Sequence, residues 1–366
     1  MDSPNSNRDR PDNGRAPDYR LEERCWTDLN SDDIAAWNRL ATSAIEPNPF
    51  QQPEFLLPKI QHLDPDPDRV RLFALRECSS GNWVMAGVFV AMPLSLKRPL
   101  HRLRAYSWRH AFLDQPLVDA GNARQVVAAW QDQFMELPHW HGMRFRHIDR
   151  DSLLLQQHLQ SSGSGELCLG YDRVWERAAV ELERAPDSLL ELCSKTRRKS
   201  LRRAMHRLEQ TGEVSYRLRR PSADDSEPLE TFLRLENLGW KGERNTSLAA
   251  RAPDRRFVAD MTRLMSANGQ VLFGELLVGG RVVASTFNLL AGDTLFAFKV
   301  GWDPEFAEGS PGVWSELLLY EQVRRELPGV RRMDSCSAPG SHVESVWPHR
   351  RQMADTFITW SYVGRT

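Results

Sequence analysis

The chain has 366 residues, with 48 Lys and Arg against 49 Asp and Glu and a formal charge of -1. That length exceeds one ordinary compact unit and points to two, while the even balance excludes a generally cationic nucleic-acid binder. No apolar run approaches the roughly 18 residues that span a bilayer, and the N-terminus lacks the apolar stretch of a secretory signal, so a cytoplasmic protein is expected.

Residues 1–20 are rich in Pro, Asn, Asp and Arg and predict a disordered tail. Helices are expected at 31–43 and 53–61, then strands "RVRLFAL" and "WVMAGVFVAMPL", with Gly81 and Asn82 at the turn between them. A strand near "LRAYSW", a helix over 122–137, a strand "MRFRHI", a helix over 151–160 and the alternating "CLGYDRVWERAAVEL" complete a first unit, 21–184. "SSGSGE" lacks the last glycine of a phosphate-loop pattern and reads as a turn.

A second unit, 185–366, opens where Asp187 can cap a short helix that leads into "SKTRRKSLRRAMHRLEQTG". A strand "VSYRL", a helix over 226–238, a polar loop over 240–251 and a helix over 254–267 follow. Three antiparallel strands, "QVLFGELLV", "RVVASTFNLL" and "TLFAFKVGW", are separated by Gly279-Gly280 and Gly292-Asp293, which suit tight turns. A helix over 312–327, a strand "RRMDSC", a helical segment around 343–352 and a strand "TFITWSYV" end the chain. Both units share one order of elements without a residue-level repeat, which suggests two copies of one fold of mixed α/β class.

Five scattered cysteines, Cys25, Cys78, Cys168, Cys193 and Cys336, fit reduced thiols. His139 and His141 lack the further ligands of a metal site, and no metal is expected.

Seven Lys or Arg residues fall between Lys195 and Arg207 with no carboxylate among them. Leu201, Met205 and Leu208 form an apolar stripe on that helix, and Gly212 suits a left-handed residue after its end. The cationic face is either solvated or faces a phosphorylated ligand. A duplex or membrane partner is the lesser alternative, since no stacking aromatic lies in the segment.

In "FAFKVGWDPEFAEGSPGVWSELLLYEQV" a strand ends near Trp302 and Pro311 starts a helix where its missing N–H costs least. Ser310 would cap that helix, and the N–H groups of Gly312, Val313 and Trp314 would form an anion cradle that a diphosphate could enter over Gly312.

The stretches "SKTRRKSLRRAMHRLEQTGEV", "LENLGWKGERNTSL", "FAFKVGWDPEFAEGSPGVW" and "MDSCSAPGSHVESVWPHRR", with "FLDQPLVD" earlier, resemble the GNAT acyltransferase superfamily. The branch they resemble is that of cellulose-biosynthesis-type acetyltransferases, related to Fem-like aminoacyl transferases. The resemblance implies tandem GNAT-like domains, the first degenerate and shaping the acceptor cleft, the second binding acyl-CoA, with acetyl-CoA as donor. The coenzyme would lie along Lys299, Val300 and Gly301, its pyrophosphate at Ser310, Pro311, Gly312, Val313 and Trp314. "EGSPG" replaces the usual Q/R-x-x-G-x-G/A loop.

An amine acceptor must be neutral to attack a thioester, so a carboxylate, or water held by one, is needed as base, together with donors for the oxyanion. Asp334, at the end of the strand beside the coenzyme strand, is the favoured base, with a structural hydrogen bond as its alternative. Glu236, Trp240 and Lys241 combine an acid, an aromatic and a cation as an acceptor pocket would, although Trp240 is equally suited to fill a core. Lys299 on an apolar strand needs a partner, Asp303 or a ligand phosphate. Cys336 and His342 complete the candidate substrate contacts; a covalent route through Cys336 with His342 as base is the less favoured option. His349, Arg350 and Arg351 either close the cleft or cap a last helix.

The function expected is acyl transfer to an amine or sugar-linked acceptor in polysaccharide or envelope metabolism. The alternatives are a Fem-like transferase drawing on aminoacyl-tRNA, and a catalytically silent GNAT-fold binder of a glycan or synthase.

Overall fold

The structure, a computed structural model, describes residues 18–94, 100–107, 109–161 and 167–360, without the side chains of Ser161, Trp240 and Lys241. Most of the expected tail and of the "SSGSGE" turn lies outside these residues, but Tyr19 and Arg20 already belong to a strand.

The first half comprises β1 (Tyr19–Cys25), α1 (Ser31–Ser43), α2 (Pro53–Leu63), β2 (Val70–Glu77), β3 (Trp83–Ala91), β4 (Leu103–Ala105), β5 (Leu117–Val118), α3 (Ala123–Glu136), β6 (Gly142–Asp149), α4 (Leu153–Ser161) and β7 (Leu167–Glu181). The second comprises α5 (Lys195–Thr211), β8 (Val214–Arg219), α6 (Glu227–Leu238), α7 (Trp240–Glu243), α8 (Ala252–Ala267), β9 (Val271–Val278), β10 (Arg281–Ala291), β11 (Thr294–Trp302), α9 (Pro311–Glu326), β12 (Arg332–Asp334) and β13 (His349–Trp360).

All these strands join one mixed sheet in the order β1-β2-β3-β4-β6-β13-β7-β12-β11-β10-β9-β8, with β5 on β3. The order is the same read from either end when each strand of one half is exchanged for its counterpart in the other. Parallel β4–β6 mirrors parallel β11–β12. At the centre the last strands of the two halves are swapped: β7 lies beside β12, and β13 beside β6. The sheet therefore continues across the boundary expected at 184/185, and the antiparallel β7–β13 pair, from His349↔Ala179 to Trp360↔Leu167, forms the seam.

Alternation along the strands sends side chains to two layers. On one face of the second half α5 and α9 pack through Leu201, Leu208, Leu317 and Tyr320. On the other, α6 and α8 pack through Phe232, Phe257 and Met261 together with Phe50 and Phe55 of the first half. Gly279 and Gly280 adopt φ of 58° and 78°, the left-handed pair a two-residue hairpin turn needs.

Several local expectations are corrected. Asp187 does not cap a helix; it pairs with Arg324 at 3.0 Å, and Ser188 precedes the 3-10 turn Leu189–Leu192. Gly212 is extended, not left-handed (φ 168°); a side chain there would meet Gly279 N at 2.8 Å, so the requirement is a close backbone approach. The loop over 240–251 contains the short α7. The last helix is only the 3-10 turn His342–Ser345. Val343, Val346 and Trp347 have helical spacing, but Pro348 follows and β13 starts at His349, placing His349, Arg350 and Arg351 on a strand.

Candidate functional site

The site follows from where one ladder stops. β12 pairs with β11 only from Thr294↔Arg332 to Phe296↔Asp334, whereas β11 continues to Trp302. Beyond Phe296 one edge of β11 has no strand partner among the described residues. Here too the β10–β11 register slips: Phe287 faces Lys299 and Asn288 faces Ala297, leaving Phe298 as a bulge. Such a bulge bends the strand locally, just where its pairing with β12 has ended. Gly301 fixes the far end, since a Cβ there would lie 2.6 Å from Glu236 N, so β11 is pressed onto the backbone of α6.

On one face the opening meets α9 and α5. Ser310 has φ 50° and its side chain does not cap α9. Its carbonyl instead accepts the N–H groups of Val313 and Trp314, each at 3.1 Å, so of the three expected cradle donors that of Gly312 is left for a ligand. Nor does Gly312 serve to clear a ligand path: a Cβ there would meet the Trp302 indole at 3.0 Å. Pro311 and Trp314 are buried, and the Trp314 indole N–H donates to Leu201 carbonyl of α5 at 3.1 Å. That bond locks the basic helix across the start of α9. Ser194 caps α5 by accepting Arg197 N–H, and Arg207 reaches the Glu308 carbonyl at 3.3 Å. Lys195, Lys199, Arg202, Arg203 and His206 line an open groove of about 770 Å³ along its outer side.

The other face belongs to the seam. Asp334 is fully buried. It accepts Cys336 N–H at 2.8 Å and Arg351 Nη1 at 2.7 Å, with Arg177 Nη1 at 3.5 Å. Burial would raise its carboxyl, but the Arg177 and Arg351 guanidiniums beside it hold it below its ordinary value. Arg351 also grips Asp149 of β6 at 2.6 Å, so a chain Asp149–Arg351–Asp334–Arg177 ties β6, β13, β12 and β7 together. Cys336 has φ 53° and its thiol is pushed well above its ordinary value by burial and by Asp334, which disfavours a thiolate nucleophile. His342 opens an exposed 3-10 turn.

Glu236 is buried and accepts Leu248 N–H at 2.8 Å, tying down the segment after α7. Trp240 and Lys241 fall in α7, but their side chains lie outside the described residues. Lys299 is half-buried, its ammonium 5.4 Å from the Phe298 ring and 5.9 Å from that of Phe112. Asp303, its expected partner, is instead bonded by Arg281 and accepts Glu305 N–H. Val300 is half-buried on β11 opposite Thr286.

The first half supplies residues that spacing alone did not single out. The stretch after β4 crosses the seam with Arg109 and His110 at φ 43° and 52°. His110 Nε2 lies 2.8 Å from Asp254 at the start of α8, and its ring stacks on Phe257. Burial lowers the basicity of His110, with the hydrogen bond to Asp254 opposing it only in part. Two residues on, Phe112 packs 5.8 Å from Phe298. The signal available was "RHAFLDQP", an imidazole beside an apolar run in a segment too irregular for a strand. A separate cavity of about 420 Å³, walled by Glu46, Glu181, Arg332 and Arg351, lies at the opposite end of β11, away from the open edge, and its charges are largely paired with one another.

Among the described residues there is no cluster of three His, Cys, Asp or Glu able to hold a metal, and no helix long and apolar enough to cross a membrane. Residues 195–339, from the start of α5 to the loop beyond β12, match the family described as acetyltransferase (GNAT) domain. No curated protein matches the chain. Among solved structures the chain is similar to FemX, at 12% identity over 93% of this chain and 98% of that one, TM-score 0.59. It is also similar to a conserved protein of unknown function from Bacteroides thetaiotaomicron (13%, 93% and 100%, TM-score 0.56). A third is the C-terminal domain of a putative lysylphosphatidylglycerol synthetase from Agrobacterium fabrum (13%, 92% and 93%, TM-score 0.53). At such identities the likeness is one of fold, and it spans both halves.

Proposed function

From the match of residues 195–339 to the acetyltransferase (GNAT) domain family, we propose that the chain moves an acyl group, acetyl from acetyl-CoA in the simplest case, onto a neutral amine of a small or glycan-linked acceptor. The observation that carries this is the edge of β11 beyond Phe296, which has no strand partner among the described residues and opens between the start of α9 and the seam. The donor enters from the α9–α5 face, its phosphates near Gly312 N–H and the α5 cations, its thioester along Lys299, Val300 and Gly301. Backbone N–H groups of the bulged edge receive the oxyanion. The amine attacks from the seam face; a C–N bond forms, the C–S bond breaks, and the proton the amine gives up passes to a base and from it to the thiolate, which departs as the thiol.

Asp334 is a poor acceptor for that proton, because two guanidiniums hold it ionised and lower its basicity. We assign it, with Glu236, to positioning: Asp334 shapes the Cys336 turn and Glu236 the wall after α7. His110, oriented by Asp254, is the better base on the acceptor side. The test is thiol release from acetyl-CoA in the presence of an amine panel, with wild type and His110→Gln. Turnover that falls at least about tenfold in the variant supports the assignment; equal turnover removes His110.

A second reading, an aminoacyl group taken from charged tRNA, is favoured by the cationic outer face of α5 together with the fold shared with FemX. Binding that collapses with salt would select it. The polysaccharide or envelope context rests on the sequence resemblance.

A further inference from the structure

On the α6–α8 side of the seam, beside Cys336, lies a cavity of about 320 Å³ that the expected site residues only border. Its floor is Arg177, 2% exposed, whose Nη1 stands 3.5 Å from Asp334 without a hydrogen bond and whose Nε meets no hydrogen-bond acceptor among the described residues. The one carboxylate near it, Asp334, is already bonded by Cys336 N–H and Arg351. Arg146 and Arg173 stand at the rim. The only carboxylate among the cavity's described lining residues is Asp355, which Arg144 engages through two bonds of 3.0 and 2.9 Å. His147, pushed down to about 4 by burial and by Arg177, is uncharged near neutral pH, and its Nδ1 is also unmatched among the described residues.

A buried guanidinium with idle donors is costly unless a ligand completes it, and its planar fork fits a carboxylate or phosphate. Two aromatic rings bound the same space: Trp175, with Arg173 5.2 Å above it, and Phe112, which reaches to Phe298 on the open edge. The cavity is thus anion-receptive at its floor and apolar towards the reacting edge.

We propose that this cavity is the acceptor subsite and selects amines that carry a carboxylate or phosphate, with the anion on Arg177 and rim arginines and the connecting carbons against Phe112 and Trp175. The inference rests on the acyl-transfer reading for the identity of the ligand as acceptor. Arg177 is a binding residue here, and its reach to Asp334 couples an occupied anion site to the end of β12.

The test measures both binding and turnover. Titration calorimetry of the full chain uses O-phosphoethanolamine, β-alanine and ethanolamine, and thiol release from acetyl-CoA is then followed with each. Wild type should bind and acetylate at least one anionic amine at least about tenfold better than ethanolamine, and which of the two it prefers identifies phosphate or carboxylate. Arg177→Lys, which keeps the charge beside Asp334 but loses the fork, should raise KM for that amine at least about tenfold with a smaller change in kcat. Arg173→Ser, at an exposed position, should do so severalfold without unfolding. Ethanolamine acetylated as well as the anionic amines, no binding of any anionic amine, or unchanged KM in both variants would overturn the proposal. Binding of the anionic amine without acyl transfer from acetyl-CoA would uphold the subsite and defeat the donor assignment.

Discussion

Glu316 lies on α9 beneath the sheet, 3% exposed, and its Oε2 meets no donor among the described residues. Burial alone raises its carboxyl from an ordinary 4.5 to about 8. The folded protein therefore keeps a proton that the unfolded chain has lost, and stability falls as pH rises from 4.5 towards 8. At ~1.4 kcal/mol per pH unit the loss is ~3 kcal/mol by pH 7 and ~5 kcal/mol above pH 8. Glu316→Gln keeps the shape and stays neutral in both states. Urea midpoints measured at intervals between pH 4 and pH 9, with unchanged m-value, should show the two proteins matched near pH 4 and the variant more stable by ~3 kcal/mol at pH 7. Parallel pH dependences, or a variant less stable than wild type at pH 7, would refute a neutral unpartnered carboxyl and require an ionised, bonded one.

Arg351→Met leaves Asp149 and Asp334 without their shared guanidinium and should cost ~3–5 kcal/mol in chemical denaturation at pH 7. Because the folded Asp334 carboxyl is depressed, its stabilisation is present above its ordinary range and lost as pH falls through the folded value. Wild type should therefore lose more stability on acidification than the variant does. Gly301→Ala drives a Cβ to within 2.6 Å of Glu236 N and 2.9 Å of its Cα, so α6 must shift; a loss of ~1–3 kcal/mol and at least tenfold slower acyl transfer are expected, and wild-type melting would contradict that packing. Between roughly 50 and 200 mM salt, acetyl-CoA affinity should fall only severalfold, as a few phosphate contacts allow; a drop of about a thousandfold in binding of charged tRNA would favour the second reading.

Much of the fold was legible because local signals agreed with it. The stripe Leu201, Met205 and Leu208 set the face of α5, and Gly279-Gly280 set a turn whose left-handed φ only glycine adopts freely. The order of elements anticipated two copies of one fold. What local pattern could not carry was pairing: the exchange of β7 and β13 across the seam depends on partners more than 150 residues apart. The charge on Arg351 likewise looked like a helix end or a lid until β6 and β12 supplied carboxylates on both sides. Asp334 was located correctly at the end of its strand. Its ionisation, however, is set by Arg177 and Arg351, which lie in different parts of the sequence and reach it only through the exchanged strands. At α9 the Ser-Pro-Gly run resembles a capped helix start, but the left-handed Ser310 turns its carbonyl, and not its hydroxyl, onto the free N–H groups.

Hydrogen–deuterium exchange across the full chain, with and without saturating acetyl-CoA, tests whether the donor lies on the unpaired edge of β11. Slowed exchange at residues 297–302 and around Gly312, with β2 and β3 unchanged, is the expected result. Unaltered exchange along 297–302 in the presence of bound acetyl-CoA would contradict it.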